Sequence, residues 1–425
     1  MAKQLQSYRS IIGDKAVETI LDKSRHLSGK RILHVNSTRS GGGVAEILQQ
    51  LVALMQSLGI DAEWRILAGK EPFFKVTKKI HNSLQGQAGT LSDWEKEIYH
   101  QTNSYYADFS PINHDIVIIH DPQPLPQVHL HEKTQPWIWR CHIDLTRPNP
   151  DFWEHLRPFV AEYDRMIVST PEYRKADVDV EQHVFQPAID PLSDKNRELS
   201  GRQITSLFQK YQIPRDKPLI TQVSRFDPWK DPRGVLEVYK KVKATCDARM
   251  LFCFNSADDD PEGVRVYEEM CHLAADEIAS GDVLFVRGDD PLLVNALQRE
   301  SSVILQKSKR EGFGLTVSEA MWKGTPVVAS RVGGIPLQIK DGVSGYLVGP
   351  QDIDAAANRV TTLLSHPKKA GIIGRNAKER VREHFLITRL LSDYIDLFTE
   401  VLESKQYQPT GTRATALAGM VINAL

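Results

Sequence analysis

"SVILQKSKREGFGLTVSEAMWKGTPVVAS" fills residues 302–330. It opens with an apolar run at 302–306, turns at Gly312 and Gly314, continues through Leu315, Val317, Ala320 and Met321 at helical spacing, and closes on a second apolar run at 326–330. Strand, tight turn, helix, strand is the repeating unit of a parallel α/β sheet. The turn carries chemistry as well. Glycines let a backbone approach a ligand closely, and the first amides of the following helix have no carbonyl of their own helix to donate to, so the unit suits an anion. Two carboxylates bracket it, Glu311 and Glu319. Beside an anion site they make sense as acceptors of hydroxyls: Glu311 from a neutral polar group attached to the anion, Glu319 from a ribose diol. The competing reading is that both are solvated helix-start residues favoured by the helix dipole.

The same rhythm extends outward in both directions. Strands are predicted at 31–35, 60–67, 115–120, 136–142 and 165–169, with Val44, Ile47, Leu48, Leu51, Met55 and Leu58 marking a helix between the first two. Residues 187–218 are polar and proline-punctuated and read as a connection. Strands then resume at 219–224, 249–254, 282–286, 302–306 and 326–330. The chain is therefore expected to be α/β, with two Rossmann-like doubly wound domains, 1–200 and 201–384, facing each other across a cleft. A long helical pattern from about 367 to 402 reaches beyond the second domain, so residues from about 385 to 425 are expected to pack back on the first. Residues 73–103 and the tail 410–425 carry no assignment.

Composition sets bounds. A length of 425 residues exceeds one efficient core. Apolar content of 41%, charged content of 25% and a net charge of −1 describe a globular protein and argue against a dedicated nucleic-acid binder. No apolar run is long enough to span a bilayer, and the start lacks the pattern of a signal peptide, so the expectation is a cytoplasmic protein without a membrane partner. Cys141, Cys246, Cys253 and Cys271 show no paired spacing and are expected to be free buried thiols.

Two further segments follow predicted strands. "VNSTRSGGGVAE" (35–46) places Gly41, Gly42 and Gly43 before a helix, which suits phosphate. It matches neither the dinucleotide fingerprint nor a phosphate-binding loop with Gly-Lys-Ser/Thr, and a plain flexible turn remains the alternative. "VSRFDPWKDP" (223–232) offers Arg225 and Lys230, a planar fork and a point charge fitted to a diphosphate. Asp227 and Asp231 complicate it, because an exposed pair between one cation and a neighbouring aspartate would explain the same residues.

The motifs E-G-F-G-L-T-V-S-E and R-F-D-P-W-K, with the glycine loop before them, resemble the retaining glycosyltransferases of GT-B fold, family 4. "HVNSTRSGGGVAEIL", "HDPQP", "WRCHIDL", "TQVSRFDPWK" and "EGFGLTVSEAMWKG" are similar to the trehalose glycosyltransferring synthases within that family. The resemblance implies that Arg225 and Lys230 neutralise a donor diphosphate, assisted by Gly42, Gly43 and the amides around Gly314, Leu315 and Thr316. It implies Glu319 on the ribose, Glu311 with the Gly312 and Phe313 backbone on the donor glucose, His142 on that sugar's 6-hydroxyl, and Asp121 on the acceptor glucose. Without the family, His142 reads as a satisfied core histidine and Asp121 as a turn cap. The implied activity is glucosyl transfer from a nucleoside diphosphate-glucose to glucose, giving trehalose, in either direction, by a homodimer that needs no cofactor. Alternatives are a trehalose phosphorylase using glucose 1-phosphate, another acceptor, a nicotinamide-dependent oxidoreductase, or a sugar-nucleotide sensor. "FNSADDDPEG" (254–263) departs from the pattern of relatives; its three adjacent aspartates would admit Mg²⁺ but do not converge, and no catalytic metal is expected.

Overall fold

The computed structural model describes residues 3–39, 42–254 and 261–404. Gly41, the aspartates at 258–260 and the tail 410–425 lie outside the described residues. Twelve strands form two six-stranded parallel sheets. The first holds β1 (Arg31–Asn36), β2 (Asp61–Ile66), β3 (Ile116–His120), β4 (Trp137–Arg140), β5 (Arg165–Val168) and β6 (Glu181–Val184) in the order β2-β1-β3-β4-β5-β6. The second holds β7 (Leu219–Val223), β8 (Arg249–Phe254), β9 (Val283–Arg287), β10 (Val303–Gln306), β11 (Val327–Ser330) and β12 (Tyr346–Val348) in the order β12-β11-β10-β7-β8-β9. Each order reverses once, between β1 and β3 and between β7 and β10. In open α/β sheets ligands bind outside the carboxyl ends of the strands at such reversals.

The central strands are buried on both faces, which is why they read as continuous apolar runs: all five residues of β3 and all four of β4 are buried. On one face of the first sheet, Ile32, Ile116, Ile118 and Ile138 pack with Leu390, Leu391, Ile395 and Phe398 of the last helix, Ile387–Glu403. The chain crosses between the sheets twice, and the crossings pair: Ile189 N–H donates to the Phe385 carbonyl at 2.9 Å, and Ile387 N–H to the Ile189 carbonyl at 2.9 Å.

Several expectations are corrected. The connection at 187–218 contains a helix, Gly201–Lys210, started by a reciprocal cap between Ser200 and Gln203 and anchored through Ile204 and Phe208. The pattern from 367 to 402 is two helices, Pro367–His384 and Ile387–Glu403, divided where the chain crosses back. β6 and β12 had no strand signal because they are only four and three residues long, the first of them mostly polar. Residues 73–103 hold parts of two helices, Glu71–Leu84 and Asp93–Phe109, joined by a loop at 85–92. All four cysteines are free, but only Cys141 and Cys253 are buried. Among the described residues no helix is long and apolar enough to cross a membrane.

Candidate active site

In the second lobe, the segment after β7 is built from two consecutive caps. Asp227 accepts from Trp229 N–H at 2.8 Å, starting a short turn, Pro228–Lys230. Asp231, in the left-handed region at φ 51°, accepts from Gly234 N–H at 3.3 Å and starts the helix Pro232–Lys243. Pro228 and Pro232 occupy the first position of each, where no N–H is needed. Gln222 holds the Lys230 carbonyl at 2.8 Å, and the ammonium lies 2.5 Å from Glu311 Oε2, which also accepts from Ser308 Oγ at 3.2 Å. That pair joins the two sequence motifs. The aspartates are thereby explained: Asp227 caps, and Asp231 caps while taking Lys307 at 2.9 Å and Lys309 at 2.8 Å. Arg225 differs from Lys230. Its half-exposed guanidinium lies 3.4 Å from Asp227, the surface pair weighed above, and it faces the other lobe, where burial first and its charge second lower the pKa of His81 to about 4.

The glycine turn is clamped from both lobes. Gly314 stands at φ 82°, ψ 63°, open to glycine at little cost, and starts the helix Leu315–Trp322. The Phe313 ring is buried against Phe385, and Gln338 donates to its carbonyl at 2.5 Å. From the first lobe, Tyr173 donates to the Gly312 carbonyl at 2.8 Å. The amides of Leu315 and Thr316 are left at the helix start. One turn further, the buried Glu319 carboxylate lies 3.6 Å from Lys195 and accepts from Gln298 at 3.3 Å. Lys195 also holds Glu46 at 2.6 Å, bridging the lobes.

The first lobe meets this turn directly. Gly42 precedes the helix Gly43–Ser57. A Cβ on Gly43 would sit 2.8 Å from Leu315 Cδ1, so the two glycine turns touch across the cleft. A Cβ on Gly312 would come within 3.0 Å of the His142 carbonyl. Asp121, just beyond β3 at φ 63°, accepts from the His142 backbone N–H at 2.8 Å. Burial pushes its carboxyl up to about 7 despite that hydrogen bond and the charge of Arg140. His142 Nε2 is engaged by His120 Nδ1 at 3.1 Å.

The structure thus brings Glu311, Gly312, Lys230, Leu315, Gly43, His142 and Asp121 into one cleft and sets Arg225 at its rim. Sequence reading missed Tyr173, Lys195, Ser308 and His120. Only His120 left a signal, a histidine closing an apolar strand beside the Asp121 motif. Among the described residues the one group with metal-like spacing is Glu181, His183 and Glu400, at the opposite ends of the strands, and Arg165 already pairs with both glutamates.

Two facing, all-parallel doubly wound lobes with a glycine turn at their junction are the architecture of the GT-B fold. The sucrose-phosphate synthase of Thermosynechococcus elongatus superposes with a TM-score of 0.70 over 87% of this chain and 99% of that one, at 17% identity. Residues 34–175 match the model of the trehalose synthase N-terminal domain, and 203–380 that of the group 1 glycosyl transferases. The trehalose synthase of Thermococcus litoralis is 47% identical over 93% of this chain and 96% of its own length. A trehalose phosphorylase of Pleurotus pulmonarius is 29% identical over 85% of this chain and 56% of its own. The chain belongs to the trehalose synthase family of glycosyltransferases.

Proposed function

We propose that the protein transfers glucose from a nucleoside diphosphate-glucose to the anomeric hydroxyl of free glucose, giving trehalose with retention of configuration. The observation that carries this reading is the convergence of Lys230, Glu311 and the helix-start amides of Leu315 and Thr316 on a turn that abuts His142 and Asp121. The bond from the donor's anomeric carbon to phosphate breaks and a bond from that carbon to the acceptor oxygen forms on the same face. The departing diphosphate takes the acceptor's proton. Lys230 and the amides stabilise charge growing on the diphosphate, where one well-placed donor is typically worth about 2.7–4 kcal/mol of barrier.

Arg225 adds charge at the rim as the diphosphate leaves. Glu319 accepts from the ribose, Glu311 and the Gly312 and Phe313 backbone position the donor glucose, and Gly42 and Gly43 admit the phosphates. Asp121 accepts from the acceptor glucose. Because protein cations and amides supply the positive charge, turnover should survive removal of divalent ions. A rate lost on chelation and restored by Mg²⁺ would overturn that point.

The test is incubation with glucose and, separately, ADP-, UDP- or GDP-glucose or glucose 1-phosphate, with products resolved by carbon NMR. A non-reducing α,α-linked disaccharide with free nucleoside diphosphate supports the reading and ranks the donors. Product from glucose 1-phosphate alone would replace it with a phosphorylase, the activity named for the Pleurotus pulmonarius relative. No disaccharide from any donor would sink it.

A further inference from the structure

Three imidazoles stand in single file from the core to the cleft, His34 and His120 buried and His142 half-buried. His34 Nδ1 lies 3.0 Å from His120 Nε2, and His120 Nδ1 lies 3.1 Å from His142 Nε2. The rings stack at centroid distances of 5.3 and 5.4 Å. The file follows from sheet geometry. His34 on β1 is opposite Ile118, two residues before His120 on β3, and His120 is opposite Arg140, two residues before His142 beyond β4. Each step crosses one strand and advances two residues, so all three side chains share a face. His120 spends its two nitrogens on two different neighbours, so the rings are strung out and do not converge on an ion.

A neutral imidazole has one N–H and one acceptor nitrogen, so such a file has only two polarities. The inner end decides between them. His34 Nε2 is buried with no hydrogen-bond partner among the described residues, and the Tyr394 ring stands nearly perpendicular to the imidazole with centroids 6.1 Å apart. An N–H placed there would be an orphaned buried donor, which is rarer and costlier than an under-used acceptor. The proton of His34 therefore belongs on Nδ1.

We propose that His120, backed by His34, is a positioning residue that fixes His142 as the Nδ1–H tautomer. His34 donates to His120, His120 donates to His142 Nε2, and His142 is left to present an N–H donor to an oxygen of the sugar. Burial holds all three rings neutral, lowering His34 to about 3 and His120 and His142 well below the ordinary histidine range. The sugar-side role of His142 rests on the proposed function, whereas the tautomer does not.

The test is ring nitrogen NMR of the ligand-free, histidine-labelled full chain near neutral pH, with His142 assigned through His142→Asn. The expected pattern is Nδ1–H for His142, the form a free histidine side chain disfavours. A protonated Nε2 or a charged ring on His142 in the wild-type spectrum would overturn the proposal, whether or not any variant folds. Kinetics add a second reading. His120→Asn keeps an N–H near the Nδ1 position, whereas His120→Leu keeps volume without a donor. The expected order is Asn above Leu by about tenfold in kcat/KM for the nucleotide-sugar, with His142 moving toward Nε2–H in the Leu variant. A packing role would reverse that order. Absence of any turnover with an Nδ1–H His142 would fail the function and leave the tautomer standing.

Discussion

The two walls of the cleft are organised by opposite means. On the second lobe, Lys230, Glu311, Asp231, Lys307 and Lys309 are ionic partners held by caps and short charged contacts. On the first lobe, the neutral His142 imidazole, backed by the buried His120 and His34, and a carboxyl whose proton is held up to about pH 7 form the opposing wall. A charged wall suits a leaving group that gains negative charge, and a neutral hydrogen-bonding wall suits the hydroxyls of the sugars. The fold makes the division natural, since each sheet contributes its own carboxyl edge.

Perturbing the charged wall should have the largest effect. Lys230→Ala is expected to lower kcat/KM for the nucleotide-sugar by about 10²- to 10³-fold, read from initial rates at saturating glucose. A loss under tenfold would mean that the helix-start amides suffice. Next comes the neutral wall, through Asp121. Its carboxylate accepts hydroxyls of the acceptor glucose more strongly when ionised, so kcat/KM for glucose should fall as pH drops below about 7 and level off above it. Stability responds with the opposite sign. The folded carboxyl keeps its proton from 3.8 to about 7, so the stability due to this group declines as pH rises through that window. Asp121→Asn should abolish use of glucose and remove the pH dependence of stability. An unchanged stability profile in that variant would assign it elsewhere.

These contrasts explain what was legible beforehand. The charged wall stood out because its residues are local: Arg225 and Lys230 lie in one ten-residue segment and Glu311 to Glu319 in another, each spelled by turn and cap residues. The paired aspartates looked discordant only because their capping bonds to Trp229 and Gly234 are invisible without the backbone. The histidine file was not legible. His34, His120 and His142 are far apart in the chain, and only the order β1-β3-β4 makes them neighbours. Strands buried on both faces announced themselves by composition; the very short strands β6 and β12 did not. The helix 201–210 was hidden by the polar residues around it, although its Ser200 and Gln203 spell a cap.

Smaller effects sharpen the same contrast. Arg225→Ala should cost less than Lys230→Ala, about tenfold or below in the same rate, because the guanidinium is half exposed and, among the described residues, paired only with Asp227. Equal losses would place Arg225 inside the site. Ser200→Ala, remote from both walls, should cost about 1 kcal/mol of stability in urea titration and leave kcat/KM unchanged. A change in rate there would mean that the connecting helix sets the spacing of the lobes.

The division of labour is tested most directly by calorimetric binding of the released nucleoside diphosphate, identified from the donor screen, to the wild type, Lys230→Ala and Asp121→Asn. The prediction is a large loss of affinity in Lys230→Ala and wild-type affinity in Asp121→Asn, which should nevertheless fail to use glucose. Nucleotide affinity lost equally in both, or untouched in Lys230→Ala, would contradict it.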